Sequence, residues 1–163
     1  MKKTVLLIIT LDTKGKEAVY LRRILEKEGV HVLVMDVGVF PEPDMNGDIR
    51  REEVALAGGH DIETLIRGKD KGKAISTMIR GAALLTKSFQ EKGKIHGVLS
   101  LGGAQGTMIG TTAMKALPVG FPKLMVSTVA SGKRVFETYV GTNDITMMHS
   151  VVDFFGFNSI VLN

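Results

Sequence analysis

The sequence predicts a doubly wound, three-layer α/β fold of the Rossmann-like type, built on a mostly parallel sheet. Short continuous apolar runs rich in β-branched residues recur along the chain, as in strands buried on both faces of a parallel sheet. Amphipathic helical segments alternate with these runs. With 163 residues, the chain is too short for a (β/α)8 barrel, which needs roughly 200 or more. We therefore expect residues 1–163 to form a single Rossmann-like domain.

The first βαβ unit occupies the N-terminal part of the chain. Val5–Ile9 is the first predicted strand, and apolar residues at helical spacing predict a helix over Lys16–Glu28. Gly29 is placed to end this helix, and Val30–Val34 is the second predicted strand. A strand, helix and strand within this length form a crossover unit with parallel strands.

The central part of the sequence combines a long loop with two predicted helices. Prolines and an Asn-Gly pair predict the loop over residues 41–48. Ile49–Ala57 is predicted as a short helix. Lys71–Glu91 has apolar residues at i, i+3 and i+4 positions and predicts the longest helix. Ile95–Leu101 is then the third strand.

The C-terminal third continues the alternation of helices and strands. Met108–Ala116 is predicted as a helix and Lys123–Ser127 as the fourth strand. A fifth strand is predicted over Val135–Val140, a terminal helix over Met148–Phe155 and a last strand over Ser159–Leu162. The carboxyl ends of parallel strands share one edge of a sheet, so we expect the loops that follow them to lie together.

Composition excludes several classes of function. The chain has no cysteine, which excludes disulfides, thiolate catalysis and cysteine-ligated metals, and fits a cytoplasmic protein. Its net charge of +4 comes from basic residues spread beside acidic ones, and tryptophan is absent, so we expect no nucleic-acid partner. No apolar run approaches the ~20 residues that span a bilayer, so we expect a soluble protein with no membrane partner.

The loop after the third strand is the strongest candidate for chemistry. Gly102, Gly103 and Gly106 let the backbone approach a ligand, and the helix that follows offers free amides and a positive dipole end. Gln105 contributes an amide side chain and Thr107 a hydroxyl. The spacing matches neither the dinucleotide-binding fingerprint nor the Walker A motif. A tight turn that only packs the helix on the sheet is the competing interpretation.

The loop after the first strand carries a second set of polar residues. Lys14 is suited to pair with a phosphate, beside the hydroxyl of Thr13. Asp12 is a candidate to hold a magnesium ion or a ribose hydroxyl. Helix capping by Asp12 or Thr13 explains the same residues without a ligand.

Two further loops extend the predicted site. Ser131 and Gly132 follow the fourth strand, and Gly141 and Thr142 are expected to form a fourth wall. Asp144 is a candidate metal or hydroxyl ligand, although an Asx-turn explains its position nearly as well.

The histidines give weaker signals. His31 and His96 stand where strands begin, on the side away from the expected site. His60 and His149 lie in predicted loops from which they could approach a ligand, but no metal-ligand or triad spacing supports them. Met147–Met148 is a candidate to line an adenine pocket.

Five motifs together carry a family resemblance. They are Thr10–Gly15, Gly102–Thr107, Ala116–Gly120, Pro122–Gly132 and Gly141–Ile145. This set resembles a largely uncharacterised family related to the ATP-binding, inhibitory N-terminal domain of the plant tomato mosaic virus resistance protein. The resemblance covers nearly the whole chain.

The resemblance implies a Rossmann-like first domain that binds ATP and is normally followed by a second α/β domain. The leading hypothesis is therefore a nucleotide-binding domain, with ATP or a related nucleotide at the carboxyl ends of the strands. One alternative is an enzyme for a phosphorylated or carboxylated metabolite, with Lys14 or Asp144 as the catalytic residue. Another is an interaction module in which the nucleotide stabilises a dimer. The expected protein partner is another copy or a second α/β domain.

Overall fold

The computed structural model describes residues 2–40, 43, 45–131, 136–151 and 153. A short 3-10 turn, Phe136–Thr138, lies between the last two strands of this part of the chain. The strands and helices are β1 (Thr4–Ile9), α1 (Leu11–Lys27), β2 (His31–Asp36), α2 (Arg51–Ala57), α3 (Ile62–Gly68), α4 (Lys71–Glu91), β3 (Gly97–Gly102), α5 (Ala104–Lys115), β4 (Lys123–Ser127) and β5 (Thr146–His149).

The strands form one sheet in the order β2-β1-β3-β4-β5, and every pair is parallel. Helices cover both faces, so the predicted three-layer Rossmann-like arrangement is confirmed. Within the sheet, β2 lies next to β1 on one side, and β3 lies next to β1 on the other side. The gap between the carboxyl ends of β1 and β3 is therefore a topological switch point, where ligands bind in folds of this kind.

Strand β1 is buried on both faces, which explains its uninterrupted apolar sequence. Leu6 and Ile8 face a core shared with helices α2 to α5. Leu7 and Ile9 face the opposite core, which includes Ala18 of α1. The side chains of this one strand thus contribute to both hydrophobic cores.

Two glycines are required by close packing of the helices. A Cβ atom on Gly81 of α4 would stand 1.9 Å from the carbonyl oxygen of Val54 in α2. A Cβ atom on Gly110 of α5 would stand 2.3 Å from the hydroxyl oxygen of Ser100 in β3. No side chain fits at either distance, so these glycines set how closely the elements approach.

The prediction for the C-terminal region is wrong in two places. Phe136–Thr138 is a 3-10 turn rather than part of a strand over Val135–Val140. Met148 and His149 belong to β5 and not to a terminal helix. Their backbone pairs with Val126 and Ser127 of β4, and this tertiary pairing overrides the local helical pattern. The predicted strand Ser159–Leu162 lies outside the described residues.

Helix boundaries also differ from the predicted ones. Helix α1 begins at Leu11 rather than Lys16, because the buried Leu11 side chain packs in the core directly after β1. Helix α3 was not predicted, and the carboxylate of Asp61 caps it by accepting the Thr64 amide at 2.9 Å. The long helix predicted over Lys71–Glu91 is confirmed. In the described part of the chain, no helix is long and apolar enough to cross a membrane.

Candidate functional site

A polar cleft of about 270 Å³ opens between the segments that follow β1 and β3. It occupies the topological switch point of the sheet. The structure therefore brings together the two loops that the sequence singles out. The cleft is lined by Thr10, Asp12, Thr13, Lys14, Phe40, Gly103, Ala104, Gln105, Gly106 and Asp153.

The N-terminus of α5 faces this cleft without a side-chain cap. Its N-cap residue is Gly103, and no side chain in the described part of the chain bonds to the amides of the first turn. Ala104, Gln105 and Gly106 provide those amides, and the first turn contains no acidic residue. The positive end of a 12-residue helix is thus open to an anion.

The glycines of this loop have different roles. A Cβ atom on Gly102 would stand 2.9 Å from the Cα of Gly106, so Gly102 is required by packing. On Gly103 the nearest atom, the hydroxyl oxygen of Thr128, would be 3.7 Å away. On Gly106 it would be the Leu101 carbonyl oxygen at 3.6 Å. The fold tolerates side chains at Gly103 and Gly106, and their absence leaves the cleft surface open.

Thr107 does not line the cleft. Its side chain is fully buried, and its hydroxyl oxygen lies 2.6 Å from that of Ser127 at the end of β4. The Ser127 hydroxyl also accepts the Val129 amide at 3.1 Å. Thr107 therefore fastens α5 to β4 and its loop, which differs from the ligand-binding role expected for its hydroxyl.

The segment after β1 is the first turn of a helix, not a loop. Thr10 is the N-cap residue, and its hydroxyl oxygen lies 3.0 Å from that of the exposed Thr13. Lys14 departs from helical geometry, with φ −132° and ψ 25°, and kinks α1 beside the cleft. This turn places Thr13 and Lys14 next to the amino end of α5.

Asp12 holds a neighbouring loop rather than capping α1. One of its carboxylate oxygens accepts the backbone amides of Val39 and Phe40, at 3.0 and 2.9 Å. The other oxygen is buried and has no hydrogen-bond partner among the described residues. Asp12 thereby fixes the chain that leaves β2 at the wall of the cleft, and sequence reasoning did not identify Phe40 there.

Asp36 is a second carboxylate that the sequence analysis missed. It ends β2, is only 2% exposed, and accepts the amides of Leu11 at 3.0 Å and Gly38 at 2.9 Å. Burial raises the pKa of Asp36, and the neighbouring Asp12 carboxylate adds to the rise. The two amides and the Arg51 guanidinium oppose the rise. An aspartate ending the second strand was the available sequence signal.

Asp144 lies at the opposite edge of the sheet. Its carboxylate accepts hydrogen bonds from the buried Lys123 ammonium and from the Gly120 amide, the latter at 2.7 Å. The bond from Lys123 holds the pKa of Asp144 below its ordinary value. Gly141 and Thr142 precede β5 in this same segment, where parallel strands begin. The structure therefore does not bring these three residues to the cleft.

The remaining candidates that the structure describes also lie outside the cleft. Ser131 is half-buried beyond β4, where Thr128 is the residue that reaches Gly103, and Gly132 lies outside the described residues. His60 contacts Thr77 of α4 through Nδ1 at 3.2 Å. The other histidines and the Met147–Met148 pair do not line the cleft.

Comparison with protein-family models identifies the family of this chain. The model described as the N-terminal domain of an uncharacterised protein family, UPF0261, matches residues 3–163. The chain belongs to the UPF0261 family. A UPF0261 protein of Clostridium tetani is 47% identical over 160 residues, covering 98% of this chain and 39% of the relative. One from Rhizobium meliloti is 38% identical over 158 residues, covering 97% of this chain and 38% of the relative.

A plant protein belongs to the same set of relatives. The ToMV resistance protein Tm-1 of Solanum lycopersicum is 38% identical over 90 residues, which are 55% of the UPF0261 chain and 12% of the tomato protein. The relation indicated by the sequence motifs is therefore confirmed. The UPF0261 chain spans less than two fifths of the length of its bacterial relatives.

Proposed function

We propose that this UPF0261 domain binds a phosphate-bearing nucleotide, ATP or a related adenine nucleotide, in the cleft between β1 and β3. The observation that carries the proposal is the convergence of two cationic elements on one cleft. The amino end of α5, which no described side chain caps, lines this cleft together with the side chain of Lys14. Helix amino ends and lysine side chains are the groups that most often bind phosphate in α/β folds.

The arrangement assigns a role to each group around the phosphate. The amides of Ala104, Gln105 and Gly106 donate to phosphate oxygens, and Lys14 neutralises their charge. The exposed Thr13 hydroxyl supplies a further donor. The cleft volume of about 270 Å³ lies just below the range of ~300–1,000 Å³ typical for drug-sized ligands. It suits the phosphates and the sugar more than a whole nucleotide.

A magnesium ion enters this proposal only together with the nucleotide. Among the described residues, no group of three or more acidic or histidine side chains is placed to hold a metal. Magnesium at nucleotide sites is bound by one or two carboxylates together with substrate phosphates. Asp12 and Asp153 are the carboxylates among the lining residues of the cleft, and we assign that part to Asp12.

Binding without catalysis is favoured over an enzymatic reaction on a metabolite. Of the two residues considered for catalysis, Asp144 is paired with Lys123 at the opposite edge of the sheet. Lys14 shares the cleft with Asp12 and Asp153. General acid–base catalysis needs two titrating groups at the reacting atoms, and Asp12 is engaged in holding the Val39 and Phe40 amides. We place the function in the cytoplasm, since a chain without cysteine needs no oxidising compartment.

Thermal-shift titration tests the proposed binding. The purified chain is titrated with ATP, ADP and inorganic phosphate, each with and without magnesium. A ligand that binds the native state raises the melting temperature with its concentration. Gly103→Val, which fills the cleft surface, and Lys14→Ala should abolish the rise.

Matched controls make the titration specific. Gly68→Val adds the same side chain where no atom stands within 4 Å, and Lys92→Ala removes an exposed lysine at the end of α4. Both controls should keep the nucleotide-dependent rise. If the unaltered chain shows no shift at millimolar nucleotide, binding by this domain alone is refuted.

An apolar groove favours an interaction module as a second candidate function. The groove, about 420 Å³, lies on the α1 face of β3 and β4 and is lined by Leu25, Leu99, Pro122 and Leu124 among others. The match covers less than two fifths of each bacterial relative, and the matching family model is described as an N-terminal domain. We propose that the polypeptide following this domain in those relatives packs here.

Sedimentation measurements test the interaction module. The part of the Clostridium tetani relative beyond its matched region is mixed with this chain. A complex that Leu124→Lys prevents, and that the exposed-site control Val119→Lys retains, would support the proposal. Self-association of this chain through the same groove would replace the proposed occupant with a second copy.

A further inference from the structure

Phe40 is an aromatic side chain held in an exposed position at the rim of the cleft. Half of its surface is exposed. Its backbone amide donates to Asp12 at 2.9 Å, and its carbonyl oxygen accepts a bond from Arg51. Both backbone polar groups are thus tied to helices on either side of the sheet. The fold fixes where Phe40 stands without burying its ring.

The Phe40 residue separates two neighbouring cavities. One is the polar cleft between β1 and β3, and the other is a largely apolar pocket of about 190 Å³. The floor of this second pocket is formed by aliphatic residues of the loop after β2 and of helices α3 and α4. The second pocket is lined by Val39, Phe40, Leu65, Ile66, Lys69, Asp70, Lys71 and Ala74.

The two cavities differ in chemistry in a way that suits the two ends of one molecule. The cleft has an uncapped helix end and Lys14, which favour an anionic group. Among the described residues, the second pocket has aliphatic walls and charged side chains along Lys69–Lys71. The Lys71 ammonium stands 6.0 Å from the centroid of the Phe40 ring. A ligand that fills both cavities carries phosphate at one end and a planar apolar group at the other.

We propose that the second pocket takes the base of the bound nucleotide, and that Phe40 is the residue on which the base stacks. This inference rests on the proposed nucleotide binding in the adjoining cleft. Bases stack on aromatic rings through their π faces, whatever their hydrogen-bonding pattern. Lys69 and Lys71 at the mouth offer donors to the edge of the base, and adenine presents ring-nitrogen acceptors there. Phe40 is then a determinant of specificity for nucleotides over inorganic phosphates.

Calorimetric titration with two ligands isolates the contribution of the base. ATP carries both the phosphates and the base, whereas tripolyphosphate carries only the phosphates. The unaltered chain should bind ATP more tightly than tripolyphosphate. Phe40→Ala should weaken ATP binding by about 5- to 150-fold, the range expected for one lost aromatic stack. Its affinity for tripolyphosphate should stay close to that of the unaltered chain, because the proposed phosphate-binding groups are the α5 amides, Lys14 and Thr13.

Two further variants separate stacking from structural support. Phe40→Trp preserves a planar ring and should retain ATP binding, while Phe40→Leu preserves an apolar side chain without a π face and should lose it. If Phe40→Ala lowers the affinity for ATP and for tripolyphosphate to the same extent, the ring only supports the structure of its loop, and the inference is overturned. Equal affinity of the unaltered chain for ATP and tripolyphosphate would also overturn it. Absence of binding of either ligand would refute the proposed function itself.

Discussion

The hydroxyl oxygens of Thr107 and Ser127 lie 2.6 Å apart, and both side chains are completely buried. Thr107 is in the first turn of α5, and Ser127 is the last residue of β4. The pair therefore joins the helix whose amino end faces the cleft to the neighbouring strand. It fixes the position of the helix end without contributing an atom to the cleft surface.

Ser127→Ala should lower the stability of the domain without removing ligand binding. The change leaves the buried Val129 amide without its acceptor and Thr107 without its closest partner. Thr107 still donates to the Gly102 carbonyl oxygen, so the Val129 amide is the group left unsatisfied. One such buried group costs about 1–3 kcal/mol, and we expect a loss of that size in urea unfolding. Ser76→Ala, at an exposed site, should change stability by less than ~0.5 kcal/mol. Lost nucleotide binding in a folded Ser127→Ala protein would place this pair in the site.

Asp12→Ala should release the loop that carries Phe40. It removes the acceptor of the Val39 and Phe40 amides, and hydrogen bonds to charged groups are each worth about 1.5–3 kcal/mol. Asp12→Asn keeps an oxygen at the same position and should retain most of the anchoring. Hydrogen exchange of these two amides measures the effect directly. If these amides exchange in Asp12→Ala as slowly as in the unaltered chain, the anchoring role is contradicted.

Gly81→Ala should destabilise the packing of α4 on α2. The new methyl group would meet the Val54 carbonyl oxygen at 1.9 Å, and backbone cannot rotate away as a side chain can. We expect a loss of about 1–3 kcal/mol, typical of overpacked cores. Gly68→Ala is the control, because it lies in α3 with no atom within 4 Å and should leave stability unchanged or raise it. A stable Gly81→Ala protein would show that the helices can separate at low cost.

Asp144→Asn should change the pH dependence of stability. The pKa of Asp144 is lowered in the folded state, so its ion pair with Lys123 stabilises the protein at pH values above the unfolded pKa of about 3.9. This contribution is lost as the pH falls through the lowered pKa. The difference in stability between the two proteins should be largest near neutral pH and should shrink in acid.

Urea unfolding between about pH 3 and pH 7 measures this difference. The exposed Glu91→Gln, which removes a carboxylate 3.9 Å from Lys87, serves as the control and should show little effect at any pH in the range. A constant difference between Asp144→Asn and the unaltered chain would mean that the carboxylate charge does not stabilise the fold.

The first four strands were predictable because each is a local apolar run, and Lys71–Glu91 was predictable because its period is helical over 21 residues. Strand β5 was not, since only four residues pair there and their side chains are mostly exposed. Helix α3 is similarly short, with seven residues. Short elements carry too few periodic positions to be distinguished from loops, and they form because neighbouring elements supply their partners.

The candidate site was predictable in part. The sequence identifies Lys14 and Gly103 as residues that follow strands, and a parallel sheet brings such residues to one edge. Asp144 also belongs to a polar loop, but that loop precedes β5. Asp144 therefore lies at the edge of the sheet where the parallel strands begin, away from the cleft. Phe40 belongs to no local motif, because its place in the site depends on the hydrogen bond that its amide donates to Asp12, 28 residues away.

The sequence by itself determined the layered α/β fold and the two loops that meet in the cleft, because strand burial and helical period are properties of neighbouring residues. Tertiary structure alone decided which polar groups remain open to a ligand. Thr107 and Thr13 carry the same hydroxyl group, but the fold buries that of Thr107 against Ser127 and leaves Thr13 exposed at the cleft. Whether a polar atom is satisfied depends on partners distant in the chain, and only folding brings those partners together.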